Sequence, residues 1–291
     1  MFHGSLVALV TPMHPDGSID FASLEKLIDW HIDNKTDGLV ILGTTGESAT
    51  IENNERREII KTSIARARHK MPVIVGTGSN STTHSITLTQ EAMSLGADAV
   101  LLVTPYYNKP TQEGLFQHYR AIAKAVPIPQ ILYNVPARTC CDLLPETISR
   151  LSQFANIIGV KEATGDLNRL KKLLSFGLTL DFYSGDDATA MEFMLQGGQG
   201  VISVAANIVP KKIHELCVAA LKSDRATAEK INDSLIELYK ALFIETNPIP
   251  TKWALAKMGL IQSGIRLPLV PLSARYCEYV QAGVNDLVFN C

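Results

Sequence analysis

Eight short apolar runs, rich in β-branched residues, recur along most of the chain and alternate with segments of helical periodicity. The runs occupy residues 5–12, 38–45, 73–78, 99–107, 130–136, 157–164, 181–187 and 200–208. A near-continuous apolar run is typical of a strand that is buried on both faces, as the strands of parallel sheets are. After the first run, Phe21, Leu24, Leu27, Ile28 and Ile32 mark one face of a helix. The pattern therefore predicts an α/β fold with a parallel sheet covered by helices.

Closure of the eight strands into a (β/α)8 TIM barrel is the fold that we expect from eight such units. A doubly wound open sheet is the alternative, and it would usually have a glycine-rich nucleotide loop after its first strand. The first run ends instead in TPMHPDG. Pro145 and Pro210 suit the first turns of helices, and Gly96 and Gly197 suit the positions just after helices end.

The alternating pattern stops near residue 224. Residues 225–243, 248–260 and 271–283 have helical patterns only, and no Ser/Gly-rich linker precedes them. We therefore predict a barrel at residues 1–224, with its site at the C-terminal strand ends, and a C-terminal all-helical domain at residues 225–291.

Composition excludes several classes of function. The 291 residues carry a net charge of -2 with no basic stripe, so no nucleic-acid partner is expected. No run reaches the ~18 apolar residues of a membrane span, and the first residues lack the positive region of a signal peptide. The five cysteines are an odd number and two of them are adjacent, which indicates reduced thiols in a cytoplasmic protein. The seven histidines form no metal-binding spacing, so neither a metal nor another cofactor is expected.

A single lysine, Lys161, stands at the end of the sixth apolar run, before Glu162. Burial disfavours the charged form of a lysine unless a partner compensates for the lost water. Two interpretations are open. Either Lys161 reaches water or pairs with Glu162, or it is a neutral amine that attacks a carbonyl group.

Tyr133 ends the neighbouring strand, so its phenol and the Lys161 amine are expected at the same barrel mouth. A phenol there can transfer the proton as a carbinolamine becomes an imine, which favours the reactive amine. The two-residue alternation also places Ile157 and Gly159 on the Lys161 face, where Gly159 would leave space beside the amine.

Five motifs in chain order carry a family resemblance. They are GTTGES at 43–48, TPYYNKP at 104–110, YNVPART at 133–139, GVKEATGD at 159–166 and SGDDA at 184–188, and NPIPTKWAL follows at 247–255. Through them the chain resembles, essentially end to end, the dihydrodipicolinate synthases among the pyruvate-dependent Schiff-base aldolases. The resemblance implies a (β/α)8 barrel with a C-terminal helical domain, a homotetramer built as a dimer of dimers, and no cofactor. It also implies a lyase that condenses pyruvate with L-aspartate-4-semialdehyde in diaminopimelate and lysine biosynthesis.

The resemblance also implies roles for residues at the strand ends. Lys161 matches the lysine that forms the imine with pyruvate, and Tyr133 matches the tyrosine that transfers protons. Thr44 matches the threonine that links this tyrosine to Tyr107 of the neighbouring subunit. The implied substrate contacts are Thr45 and Ile202 for pyruvate, Arg138 for the semialdehyde carboxylate, and Gly185 in a loop that approaches the substrate.

A regulatory cleft that binds L-lysine in some members is also implied. Its positions are matched here by Ser48, Ala49, Asn53, Arg56, Asn80, His84 and Tyr106. Asn53 and Arg56 stand where lysine-inhibited members have histidine, and His84 stands where an acidic residue meets the α-ammonium. Because a dicationic ligand would lose a negative partner and gain a positive neighbour, we expect weak inhibition by L-lysine or none.

Two other functions remain as alternatives. A sister lyase, such as N-acetylneuraminate lyase or a 2-keto-3-deoxy-sugar-acid aldolase, would share Lys161 and Tyr133. A catalytically inactive barrel could serve as a pyruvate sensor or scaffold. The combination of Thr44 with Thr45, Tyr107 and Arg138 favours the synthase.

Overall fold

The computed structural model of the protein describes residues 2–288 and contains a closed barrel of eight parallel strands. The strands are β1 (Gly4–Ala8), β2 (Gly38–Ile41), β3 (Val73–Gly76), β4 (Ala99–Val103), β5 (Gln130–Asn134), β6 (Ile157–Glu162), β7 (Asp181–Ser184) and β8 (Gly200–Ser203). Each strand pairs with the next in chain order, and β8 pairs with β1 to close the barrel. The expected (β/α)8 barrel is confirmed.

Helices surround the barrel and continue after it. Up to the last strand they are α1 (Phe21–Asp33), α2 (Asn53–Ala67), α3 (Thr82–Ser94), α4 (Gln112–Ala125), α5 (Pro136–Thr139), α6 (Pro145–Leu151), α7 (Leu167–Leu174) and α8 (Ala190–Leu195). After β8 they are α9 (Pro210–Leu221), α10 (Arg225–Asp233), α11 (Ile236–Leu242), α12 (Ile249–Lys257) and α13 (Ala274–Val288). Short 3-10 helices occupy Ser48–Thr50 and Ala205–Asn207. Among residues 2–288, no helix is both long and apolar enough to cross a membrane.

Both faces of the barrel strands are buried, in two separate apolar clusters. Leu6, Val40 and Ile202 belong to the cluster inside the barrel. Val7 and Leu39, which directly follow or precede these residues on β1 and β2, belong to the cluster between barrel and helices. Alternate residues of one strand therefore enter different cores, which explains why the strands appear in the sequence as continuous apolar runs.

The sequence signals for helix ends agree with the structure. Pro145 and Pro210 are the first residues of α6 and α9. Gly96 and Gly197 follow α3 and α8 with φ of +95° and +109°, a region that favours glycine. Most of the apolar runs extend past the strands into the loops, because the loops at the barrel mouth are themselves largely buried. The division of the chain after residue 224 stays a prediction.

The four cysteines in the described part of the chain are free thiols. They are Cys140, Cys141, Cys217 and Cys277. Burial raises the pKa of the Cys141 and Cys217 thiols, which favours their neutral form. The fifth, Cys291, lies outside the described residues.

A buried ion pair connects the loop after β2 to the C-terminal helices. Lys252, on α12, donates to the carboxylate of Glu47, and the two side chains are 3% and 1% exposed. The backbone N–H of Arg266 donates to the other carboxylate oxygen at 3.1 Å. Desolvation lowers the pKa of Lys252, while the charge of Glu47 acts in the opposite direction. This contact fixes the C-terminal segment over the barrel mouth.

Replacing Lys252 alone should strongly destabilise the protein. Lys252→Met leaves the Glu47 carboxylate buried without a cation, and removal of one partner of such a pair costs about 3–5 kcal/mol. Urea unfolding should show this loss, whereas Glu47→Gln combined with Lys252→Met should lose less because no charge remains. Lys240→Met, which breaks the exposed pair with Glu237, is the control and should change little. Equal losses from the Lys252 and Lys240 variants would contradict the prediction.

Candidate active site

A cavity of about 400 Å³ opens at the C-terminal ends of the barrel strands. It is lined by the side chains or backbone of most residues that the sequence predicted for catalysis and substrate binding. These are Thr44, Thr45, Tyr133, Arg138, Lys161 and Gly185. The closed barrel brings them together from the ends of four strands, although they are spread over some 140 positions of the chain.

Lys161 lies on the inner face of β6 opposite Tyr133 on β5. Both residues are only 6% exposed. The Lys161 Nζ atom lies 4.3 Å from the centre of the Tyr133 ring. Among residues 2–288, no carboxylate lies within ion-pair distance of this amine and no acceptor bonds it. The site therefore presents a buried amine that lies against the ring of a phenol.

The alternative in which Lys161 pairs with Glu162 is wrong. Glu162 points to the opposite face of β6, is 3% exposed, and pairs with Arg169 of α7 at 3.0 Å. Its carboxylate also accepts bonds from the Asn134 amide and from the backbone N–H of Thr164. Glu162, the carboxylate next to Lys161 in sequence, therefore pairs with Arg169 and not with Lys161.

The expected surroundings of Lys161 need one correction on β6. The β5–β6 register shifts between Gln130 and Ile131, so the strand carries one extra residue after Ile157. Ile157 consequently joins the outer cluster rather than the Lys161 face. Gly159 does share that face, but it leaves no free space, because a Cβ there would lie 3.0 Å from the Tyr183 ring.

The glycine that makes room for the lysine is Gly185, in the loop after β7. A Cβ on Gly185 would lie 2.9 Å from Lys161 Cε and 2.5 Å from Ala163 Cβ. The backbone N–H of Gly185 donates to the Glu162 carbonyl at 2.7 Å, which holds this loop against the end of β6. The close approach of backbone to lysine therefore requires glycine at this position.

The C-terminal segment adds residues to the site that sequence reasoning did not select. Phe243, Thr246 and Asn247 line the cavity with Lys161. The Asn247 amide donates to Thr45 Oγ1 at 2.9 Å, and Arg138 Nη2 donates to the Asn247 carbonyl at 3.4 Å. The available signal was the NPIPTKWAL motif, in which Asn247 precedes two prolines, but nothing in it indicated a contact with the barrel mouth.

The remaining predicted residues occupy different surroundings. Ile202 is buried on β8 in the inner cluster. Tyr107 is 89% exposed with φ of +75°, and it lines neither the mouth cavity nor the cavity beside it. Within a single subunit, Tyr107 therefore makes no part of the site.

The second cavity, of about 500 Å³, adjoins the first and shares Thr44, Tyr133 and Arg138 with it. Six of the seven predicted cleft residues line it: Ser48, Ala49, Asn53, Arg56, His84 and Tyr106. Asn80 does not, and its carbonyl accepts a bond from the Asn108 side chain at 2.8 Å.

Arg56 is a buried cation in the lining of this second cavity. It is 5% exposed, and its Nη2 donates to the Gly76 carbonyl at 2.7 Å. Its Nε is buried without a partner, and no carboxylate pairs with its guanidinium among residues 2–288. Burial lowers its pKa, against the opposing charge of Glu91. Position 56 is therefore not a surface position.

Comparison with known proteins places this barrel in a family of lyases. The chain matches the dihydrodipicolinate synthetase family over residues 1–287. A 4-hydroxy-tetrahydrodipicolinate synthase of Coxiella burnetii is 59% identical over 291 residues, covering 100% of both chains. The chain belongs to the dihydrodipicolinate synthetase family.

Two solved structures of related proteins have the same fold. The chloride-inhibited dihydrodipicolinate synthase from Acinetobacter baumannii, complexed with pyruvate, is 52% identical with a TM-score of 0.97 over 99% of each chain. The synthase from Cyanidioschyzon merolae, with lysine bound, is 36% identical with a TM-score of 0.94 over 97% of each chain.

Gly185→Ala should impair the reaction of Lys161 with a 2-oxo acid. The new methyl group would displace Lys161 Cε or Ala163, and misplacement of a reacting group by about 1 Å can cost about 10²-fold in rate. Formation of a borohydride-reducible adduct with pyruvate measures the effect. Gly114→Ala, where the nearest atom is Pro110 Cβ at 3.2 Å, is the control far from the lysine. A normal rate of adduct formation in Gly185→Ala would contradict the prediction.

Proposed function

We propose that the protein condenses pyruvate with L-aspartate-4-semialdehyde to give 4-hydroxy-tetrahydrodipicolinate, through a Schiff base on Lys161. The observation that carries the proposal is the buried Lys161 amine, which has no carboxylate partner and lies beside Tyr133 at the barrel mouth. Membership of the family supports the proposed reaction. The pyruvate complex of the related Acinetobacter synthase supports pyruvate as one of the substrates.

The amine of Lys161 adds to the ketone carbon of pyruvate, and the resulting carbinolamine loses water to form an imine. Loss of a proton from the pyruvate methyl group gives an enamine, whose methyl-derived carbon adds to the aldehyde of the second substrate. The amino group of that substrate then attacks the imine carbon and releases Lys161 as the ring closes. Lys161 supplies the electrophilic activation, so no metal or organic cofactor enters this sequence.

The steps need a group that delivers and removes protons next to the nitrogen, and we assign this role to Tyr133, whose ring centre lies 4.3 Å from Lys161 Nζ. We propose that Thr44 connects Tyr133 to Tyr107 of a neighbouring subunit. The 89% exposure of Tyr107 in the single chain supports a contribution outside its own subunit. The proposed assembly is the homotetramer, a dimer of dimers, of a cytoplasmic enzyme.

The two carboxylates of the substrates need separate donors. We assign the pyruvate carboxylate to Thr45 and the adjoining backbone, with Ile202 contributing from β8. Arg138, exposed at the rim of both cavities, suits the carboxylate of the semialdehyde because a guanidinium binds a carboxylate through two bonds. Gly185 lets its loop approach the substrate on the imine.

The proposal predicts turnover of pyruvate with L-aspartate-4-semialdehyde and a pyruvate adduct on Lys161. Borohydride reduction followed by peptide mass spectrometry should locate the adduct. Lys161→Ala should lose nearly all activity, and so should Lys161→Arg, because a guanidinium stays protonated. An adduct on another lysine would refute the residue assignment. Cleavage of a sialic acid or a 2-keto-3-deoxy sugar acid, without condensation, would favour a sister lyase, and binding of pyruvate without turnover would favour a sensor.

The second cavity is the proposed vestige of the lysine-binding cleft, and its charges disfavour L-lysine. Arg56 is a buried cation without a carboxylate partner, and His84 is exposed at the rim. A diamine bound there would add positive charge beside Arg56 and find no acidic side chain at position 84. Loss of one close charge partner costs about 2–5 kcal/mol, which is roughly 30-fold or more in affinity.

L-lysine should therefore cause weak inhibition of the initial rate of condensation, or none, at saturating pyruvate. His84→Glu combined with Arg56→His should create sensitivity, since it supplies the missing negative charge and removes the buried cation. Arg57→His, at the neighbouring position whose side chain pairs with Glu91, is the matched control and should remain insensitive. Strong inhibition of the unmodified protein at low lysine concentration would overturn the prediction.

A further inference from the structure

The outer face of the β5–β6 ladder carries a polar pair directly behind the reactive one. Asn134 lies opposite Glu162 in the register step that follows Tyr133 and Lys161. Asn134 is fully buried and Glu162 is 3% exposed. Because successive side chains of a strand point to opposite faces, this pair lies outside the barrel while the reactive pair lies inside. The two pairs share the same backbone.

The side chain of Asn134 is fixed at both of its polar atoms. Its Nδ2 donates to the Glu162 carboxylate at 3.1 Å and to Asp142 Oδ1 at 2.9 Å. Its Oδ1 accepts from the backbone N–H of Leu143 at 2.9 Å. The end of β5 is thereby joined both to the end of β6 and to the segment that precedes α6.

Arg169 of α7 closes this network. Its Nε donates to Glu162 Oε2 at 3.0 Å, its Nη1 to Asp142 Oδ2 at 3.1 Å, and its Nη2 to the Leu143 carbonyl at 2.8 Å. The side chain is 14% exposed. One planar guanidinium thus bonds two carboxylates and a backbone carbonyl. A lysine could not reproduce this geometry.

Glu162 also holds the loops that follow β6 and β7. Its Oε1 accepts from the backbone N–H of Thr164 at 2.9 Å, and its carbonyl accepts from the N–H of Gly185 at 2.7 Å. Gly185 in turn approaches Lys161. The loop that follows Lys161 and the loop after β7 are therefore both held by bonds to Glu162.

Lys161 depends on its backbone more than most catalytic groups would. Its side chain is a flexible four-carbon stem, and among residues 2–288 its amine has only the Tyr133 ring as a partner. Because the amine has no hydrogen bond, its position is set by the Lys161 Cα and by the residues that pack around the side chain. A displacement of about 1 Å at a reacting atom is enough to cost about 10²-fold.

We propose that Arg169 is a positioning residue for imine formation: through Glu162 and Asn134 it holds the ends of β6 and β5, and thus Lys161 and Tyr133, in reactive alignment. It also fixes the orientation of the Glu162 carboxylate, which strand alternation places on the outer face. This inference deepens the proposed function and rests on it.

The test compares Arg169→Leu and Arg169→Lys with the control Arg266→Leu. Arg266 has a similar setting and does not line the cavity that contains Lys161: it is 19% exposed, pairs with Glu55, and donates to the carbonyls of Thr50 and Gly17. For each variant, a time course of borohydride trapping with pyruvate gives the rate of imine formation. Steady-state assays give kcat and the KM for pyruvate, and thermal unfolding gives stability.

We expect Arg169→Leu to slow imine formation by roughly 10²-fold and to lower kcat with little change in the KM for pyruvate. Arg169→Lys, which keeps the charge but not the three-bond geometry, should be slowed less. Arg266→Leu should lose stability without slowing the imine. A stability loss alone cannot produce this difference between the two arginines.

A folded Arg169→Leu that forms the imine at the normal rate would overturn the inference. If Arg169→Leu does not fold, Arg169→Lys decides, since slowing at unchanged unfolding temperature supports the inference and a normal rate overturns it. Equal slowing in Arg266→Leu would also overturn it, because the effect would then follow stability. Failure of the unmodified protein to form any adduct on Lys161 would instead refute the proposed function.

Discussion

The alternation of side chains along strands that are buried on both faces is the constraint on which the site depends. In the β5–β6 ladder, one register step faces Tyr133 towards Lys161 inside the barrel, and the next faces Asn134 towards Glu162 outside it. A slip of one residue would exchange the two faces and put the amine among the helices. The same backbone geometry therefore supplies both the reactive pair and its anchors.

Two buried lysines differ in whether a carboxylate pairs with them, and this difference separates a structural role from a chemical one. Lys252 is 3% exposed and bound to Glu47, so its charge is compensated and serves to hold α12 over the barrel. Lys161 is 6% exposed, and the carboxylate next to it in sequence is bound to Arg169 instead. An amine that lines the cavity without a carboxylate partner is the one that suits attack on a carbonyl. Within the described part of the chain, Lys161 stays unpaired because Glu162, the carboxylate next to it on β6, occupies the opposite face of the strand.

The barrel and the meeting of Lys161 with Tyr133 were predictable from the sequence because both follow from local patterns. Eight strands buried on both faces leave eight apolar runs, and the ends of such runs gather at one mouth, which placed Lys161 and Tyr133 together. The extra residue after Ile157 was not predictable, since an added isoleucine lengthens an apolar run without marking a bulge. The choice of Arg169 as partner for Glu162 depends on how α7 packs, which the sequence does not state. The role of Tyr107 stays a prediction, because it concerns a second subunit.

The contact between Asn247 and Thr45 joins positions 202 residues apart, so no local pattern could announce it. Its consequence is chemical. Thr251 donates to Asn247 Oδ1 at 3.3 Å, which orients the amide so that its Nδ2 donates to Thr45 Oγ1. A hydroxyl that already accepts one bond keeps its own hydrogen available to donate. The C-terminal segment thus does more than cover the barrel: it leaves Thr45 free to donate, which is what the proposed contact with a substrate carboxylate would require.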